Sequence, residues 1–434
     1  MPKTPQSGGS HAVASVSTGV EELLLAAMTR GDESMETGRY LVTYKRGVDS
    51  SKALEALGLR TALSRDFAQQ AFSLDEVGDA DAVHFTEIGV SLISGAAFHD
   101  RALSAAALDV DSPIESIDPE YFTFADNLSP DYLRGFAQAV NVIATESNAG
   151  RGRELRHPRD VDVLVAEETW GLSACSVPTS TRSGAGIKVA ILDTGMDLLH
   201  PDFAGRAFTT ATFVGEDVQD LNGHGTHVTG TACGPKAPAS TTPRYGIAYQ
   251  APIFVGKVLT NSGRGTMAAA LGGINWAISQ GCAVINMSLG SQRPVQPAYT
   301  AAGQAALDAG CLIIAAAGNA GQAHPTGAPA NSPTIVAVAS VDASLAPSAF
   351  SCSGKIEIAG PGRDIFSSVP LPTRYGLKSG TSMAAPHVTG CAALLAQTHP
   401  HLRGTALRNQ LLANAYALQQ PADRVGAGLV QAPQ

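Results

Sequence analysis

Charged residues are scarce in this chain: Asp, Glu, Lys and Arg make up 15% of its 434 residues, while apolar residues make up 44%. That balance suits a large folded core, and the length leaves room for two or three domains. There is no basic surplus either. Net charge is −9 and uneven: residues 1–160 hold 14 Lys/Arg against 24 Asp/Glu, and residues 161–434 hold 15 against 14. Without a strongly basic surface, nucleic acid is an unsuitable partner. No apolar run reaches the length of a membrane span. The N-terminus lacks the basic start and uninterrupted apolar core of a secretory signal, because Leu23-Leu24-Leu25 directly follows Glu21-Glu22. The cytoplasm is therefore the default location, with export by another route left open. Cysteine is absent from the first 170 residues. Cys233, Cys282, Cys311 and Cys391 sit in apolar or Ala/Gly-rich stretches and read as small buried hydrophobes. Cys175 and Cys352 lie in polar stretches, where an oxidising compartment would let them pair; free thiols are the expectation.

From residue 187 onward the pattern repeats. Apolar runs at 187–192, 253–259, 283–289 and 312–317 read as strands, and segments 266–279 and 298–308 have helical spacing. Strands alternating with amphipathic helices predict an α/β fold, a mainly parallel twisted sheet with helices on both faces. The front part differs. Residues 39–45 alternate like a half-buried strand, Asp49-Ser50-Ser51 offers a helix cap, and runs at 82–86 and 89–93 flank a turn. An alanine-rich helix at 101–108 and a strand at 114–117 complete a β-α-β-β-α-β order, a small α+β ferredoxin-like unit. Residues 126–160 turn polar, with Arg151, Arg153, Arg156 and Arg159 crowded together, and read as an exposed connector. Residues 1–37 read as a flexible tail containing a short amphipathic helix.

Three strings carry chemistry: Asp193-Thr194-Gly195, Gly223-His224-Gly225-Thr226-His227, and Gly380-Thr381-Ser382-Met383-Ala384-Ala385-Pro386. They supply a carboxylate, an imidazole and a hydroxyl. A serine hydroxyl becomes a nucleophile when an imidazole takes its proton and a carboxylate holds that imidazole in the right tautomer. Each member has a bland rival. Asp-Thr-Gly also marks aspartic proteases, but those need two copies on β-rich lobes, and this chain has one. His224 and His227 are spaced as metal ligands on a helix would be, but no His-Glu-x-x-His string is present. His224 is the general-base candidate; His227 and His387 read as structural. Ser382 alone would pass for a helix cap, though at a helix start it also offers backbone N–H groups to an anion. Asn319 follows the strand at 312–317; it reads as an oxyanion donor or, taken alone, as a turn residue.

With these residues in the order Asp, His, Ser, the segment 161–434 resembles the subtilisin family (subtilases) of serine peptidases. The resemblance implies that Asp193 orients, His224 is general base, Ser382 attacks and Asn319 holds the oxyanion. It also implies that Gly263, Arg264 and Gly265, and Ser288, Leu289 and Gly290, line the extended segments that hold substrate backbone. Arg264 would stand at the rim, favouring acidic side chains if it touches substrate and merely solvated if not. Residues 38–125 are similar to the inhibitor-like prodomain of such enzymes, and 126–160 would then be the connector and processing region. The tail Tyr121-Phe122-Thr123-Phe124-Ala125-Asp126 would fill the cleft, with a cut after Phe124. The expected product is a serine endopeptidase made as a self-inhibited precursor. It would act on polypeptides as a monomer and need no cofactor. The alternatives are a dedicated maturation protease for one partner peptide and a non-catalytic peptide binder. Many relatives hold calcium in a loop after the catalytic histidine, but residues 234–248 contain no Asp, Glu or Asn, as in the more compact proteinase-K-like branch. A weak cation site using Asp217 or Asp220 stays open.

Overall fold

The computed structural model describes residues 19–29, 35–56, 58–63, 80–100, 112–125, 167–240 and 242–434. The larger part is built on a seven-stranded sheet. Its strands are β6 (Val189–Asp193), β7 (Phe208–Thr212), β8 (Ile253–Lys257), β10 (Val284–Met287), β11 (Leu312–Ala316), β12 (Val336–Val341) and β13 (Ile358–Pro361). They lie in the order β13-β12-β11-β10-β6-β8-β7, and every pairing is parallel. Successive side chains of a strand point to opposite faces, and the core divides accordingly. Val189 and Ile191 join one apolar cluster, whereas Ala190 and Leu192 join the other. Helices α4 (His224–Cys233) and α7 (Thr381–Ala396) cover the first face; α5 (Met267–Ser279) and α6 (Pro297–Asp308) cover the second. Burial on both faces is why these strands are almost wholly apolar. Helix α8 (Gly404–Ala413) packs on α6 and α7, and β14 (Ile365–Ser368) pairs with β15 (Tyr375–Lys378) as a separate hairpin.

The front part contributes α1 (Val20–Thr29), β1 (Glu36–Tyr44), α2 (Ser50–Ala56), β2 (Thr61–Leu63), β3 (Ala82–Phe85), β4 (Val90–Ile93), α3 (Gly95–Asp100) and β5 (Ile114–Phe124). Its sheet runs β2-β3-β4-β1-β5 and then continues into β9 (Arg264–Thr266) of the larger part. Three expectations need correction. The last front strand extends to Phe124 and not to residue 117, because Asp118-Pro119-Glu120 interrupts the apolar alternation without ending the ladder. Glu120 is fully buried there, held by Arg39 at 2.6 and 2.9 Å. Residues 20–29 are not a loose tail: Val20, Leu24 and Ala27 are buried and α1 lies against β1 and β9. The strand β1 also starts inside the stretch assigned to the tail. The helix expected at 101–108 and the connector 126–160 lie outside the described residues.

All six cysteines are free and buried, including Cys175 and Cys352. The two do not pair with each other. The Cys352 sulfur accepts from Gln292 Nε2 at 3.3 Å, and Cys175 neighbours Cys391, with burial pushing its thiol pKa well above the ordinary range.

Candidate active site

Asp193, His224 and Ser382 lie at element ends on the carboxyl edge of the parallel sheet, where such folds collect their ligands. Asp193 is the last residue of β6, and His224 opens α4. The imidazole Nδ1–H donates to Asp193 Oδ1 at 2.7 Å, and the backbone N–H of Thr194 donates to the same oxygen at 2.7 Å. Both side chains are almost fully buried. Backbone contact explains the neighbouring glycines: a Cβ on Gly225 would fall 2.2 Å from the Gly195 carbonyl oxygen. Ser382 is the second residue of α7. Its hydroxyl donates toward Ser288 O at 3.3 Å, and Ser288 Oγ donates to Ser382 O at 2.8 Å.

Asn319 follows β11 and is fixed by its oxygen, which accepts from Thr381 N and Thr381 Oγ1, each at 2.8 Å. The amide nitrogen therefore faces away from Thr381. It lies 3.3 Å from the point where a Cβ on Gly380 would stand, and Ser382 N lies 3.6 Å from that point. Both N–H groups thus border the space that Gly380 leaves open. Leu289, Ala316, Ala317, Gly327 and Ala328, with Ser291, Gln292 and Asn319, line an adjoining pocket that reaches Ser382.

The two extended segments stand on either side of the front part's tail. Phe124 and Gly290 exchange both backbone bonds, at 3.1 and 3.0 Å, and Ala125 N donates to Gly263 O at 3.0 Å. Thr123 and Phe124 are in register with Gly265 and Arg264. Ser382 Oγ also donates to Ala125 O at 3.3 Å. Two expectations change here. Arg264 is 4% exposed beneath the tail, so it is not a solvated rim residue in this form. The carbonyl presented to Ser382 is that of Ala125, not Phe124, because the strand register sets Phe124 opposite Gly290.

His227 and His387 are structural. The former donates from Nε2 to Ile365 O and the latter from Nδ1 to Met383 O; burial pushes them down to about 3 and about 4. Both are therefore neutral near pH 7. Calcium does not fit the residues after α4. Asp202, the carboxylate that meets this segment, accepts from Ala239 N, Tyr375 OH and Tyr245 OH. Nor is Asp220 a cation ligand, since it is fully buried among N–H and O–H donors. Sequence reading missed Asp220 as part of this site, together with Thr381 and the fully buried Lys257. Lys257 Nζ donates to Thr194 O and to Asn261 Oδ1, and burial lowers its pKa despite Glu216 at 3.4 Å.

Comparison with known proteins agrees with this architecture. The sequence profile of the subtilase family matches residues 184–428, more than half of the chain. Subtilisin DY of Bacillus licheniformis is 39% identical over 254 residues, covering 56% of this chain and 89% of that protein. Subtilisin BL of Lederbergia lenta is 38% identical over 269 residues, covering 61% of this chain and 96% of that protein. Among solved structures, a cold adapted subtilisin-like serine proteinase superposes with a TM-score of 0.54 at 30% identity. The match covers 62% of this chain and all of that one. Sphericase gives 0.55 at 31% identity, with 61% and 98% covered. A parallel sheet whose carboxyl edge gathers Asp193, His224 and Ser382, within a region matched end to end by subtilisins, makes this chain a member of the subtilase family and a serine endopeptidase.

Proposed function

We propose that Ser382 is the nucleophile of this endopeptidase, His224 its general base and later acid, and Asp193 the group that orients and stabilises the imidazolium. Ser382 Oγ bonds to the scissile carbonyl carbon while its proton passes to His224. The oxyanion is held by the Asn319 amide and Ser382 N–H. Collapse expels the amine, which takes the proton from His224, and water activated by the same imidazole hydrolyses the acyl-enzyme. None of these steps uses a cofactor.

The precursor reading rests on one observation: the tail ending at Ala125 already lies between Gly263 and Gly290, with its carbonyl beside Ser382 Oγ. Residues 38–125 would then act as an intramolecular inhibitor. Because the Ala125 carbonyl lies beside Ser382 Oγ while Phe124 is paired with Gly290, the cut falls after Ala125. N-terminal sequencing of the mature enzyme is expected to read from Asp126. A start among Arg151–Arg159 would remove the argument for tail-directed processing. A broad protease and a dedicated maturation enzyme share all these features; a cleavage profile on a proteome-derived peptide library separates them.

Glu120 provides a second test. Its carboxylate binds Arg39 and Thr37 within the front part and accepts from Ala268 N in the first turn of α5 at 2.8 Å. A carboxylate at a helix N-terminus is favoured by the unpaired N–H groups and the dipole. Removing one partner of a buried ion pair leaves the other uncompensated. Arg39 keeps 11% of its side chain exposed, which softens that cost. Glu120→Ala is expected to weaken inhibition by the front part roughly tenfold to a hundredfold, read as earlier release of activity during maturation. An unchanged activation time course would show that this contact does not hold the front part in place.

A further inference from the structure

We propose that Asp220 is a positioning residue for catalysis: one buried carboxylate that clamps the backbone carrying Asp193 to the backbone carrying His224. The proposal rests on the triad reading above. Asp220 is fully buried, and five donors converge on its two oxygens. Oδ1 accepts from Thr194 Oγ1 at 3.0 Å, Asn222 N at 3.0 Å and Gly223 N at 2.8 Å. Oδ2 accepts from Thr226 N at 2.8 Å and Thr226 Oγ1 at 2.7 Å.

The donors fall into two groups. Thr194 adjoins Asp193 at the end of β6, and Gly223 and Thr226 bracket His224 at the start of α4. The residue preceding α4 is Gly223, with φ 88°, and a glycine has no side chain with which to cap the helix. Asp220 supplies the missing cap from three residues upstream, and its charge suits the positive end of the helix. The hydroxyls it binds carry the linkage onward. Thr194 Oγ1 accepts from Gly225 N at 2.8 Å, and Thr226 Oγ1 accepts from Asp197 N at 3.0 Å. Lys257 ties down the opposite side of the strand end through Thr194 O. The 2.7 Å contact between His224 Nδ1 and Asp193 Oδ1 therefore depends on where Asp220 holds the two segments. An asparagine would fill the same space but present an NH₂ where Thr226 N–H needs an acceptor, or break the Oδ1 group instead.

The test compares wild-type and Asp220→Asn enzymes, each expressed as the full chain and allowed to mature, counting active sites with a fluorophosphonate so that unfolded protein drops out. The expected result is a fall in kcat per titrated site of roughly tenfold to a hundredfold. KM should stay within about twofold to threefold, because Gly263 and Gly290 are untouched. Thr226→Val, which removes one donor and leaves the carboxylate, should give a smaller fall of the same kind and serves if Asp220→Asn does not mature. Asp202→Asn is the control: this buried carboxylate also accepts three bonds but has no link to the triad. It should lower Tm while kcat per site holds. If Asp220→Asn and Thr226→Val behave like Asp202→Asn, losing stability or titre but no kcat per site, the positioning role is overturned. A wild-type enzyme that took no label would overturn the triad reading itself, and this proposal with it.

Discussion

Ser382→Ala is expected to lower kcat by about 10⁶-fold, the loss known for subtilisin deprived of its nucleophile, and to leave the chain uncut. The two effects share one cause. With no hydroxyl beside the Ala125 carbonyl, neither an added substrate nor the chain's own tail can form an acyl-enzyme. Substitution should not unfold the protein, because Ser382 lies in the first turn of α7 and the bonds that seat the helix start come from its backbone and from Thr381. Two measurements check this together. A fluorophosphonate should label the wild-type protein and not the variant, and intact mass should find the variant still joined to its front part at 44.5 kDa. Retained labelling in the variant would move the nucleophile elsewhere. No labelling of either protein, with the front part removed, would favour a peptide-binding protein over an enzyme.

Asn319→Ala is expected to cut kcat by about 10²- to 10³-fold, equivalent to about 3 to 4 kcal/mol of barrier, with little change in KM. That magnitude comes from removal of the corresponding kind of donor in subtilisin. The reasoning for this chain is geometric. The Asn319 oxygen is engaged twice by Thr381, so the amide cannot flip without losing both bonds. Its nitrogen is held beside Ser382 N, around the gap left by Gly380. The chain's own tail is held by other groups, the backbone of Gly263 and Gly290, and a substrate held in the same way would leave KM nearly unchanged. A matching loss in KM, or an unchanged kcat, would mean that Asn319 only braces Thr381.

Much of this was readable in advance. Asp193, His224 and Ser382 stand in strings whose neighbours are small, and those strings close apolar strands or open helices, so residue type and placement point the same way in the sequence. The parallel sheet was equally visible, since strands buried on both faces leave unbroken apolar runs. Other features left no such trace. The length of β5 was hidden because Asp118-Pro119-Glu120 looks like a turn, and Arg39, Thr37 and Ala268 N together make a buried carboxylate tolerable there. The burial of Arg264 was invisible for the same reason, as it depends on a strand more than a hundred residues upstream. Helix α1 showed an apolar stripe but not its partner; Glu21 accepts from the hydroxyls of Thr260 and Ser262, beside the cleft.

The division follows from range. Composition, periodicity and the three strings act locally, so the chain alone determined the fold class and the family, and pointed to the proposed reacting groups. Whether Asp220 binds a cation or clamps the two segments that carry Asp193 and His224 was decided only when the chain closed and five donors met one carboxylate. The same closure chose Ala125 over Phe124 as the carbonyl beside Ser382, because strand register is settled by pairing across the cleft and not by the order of residues along the tail.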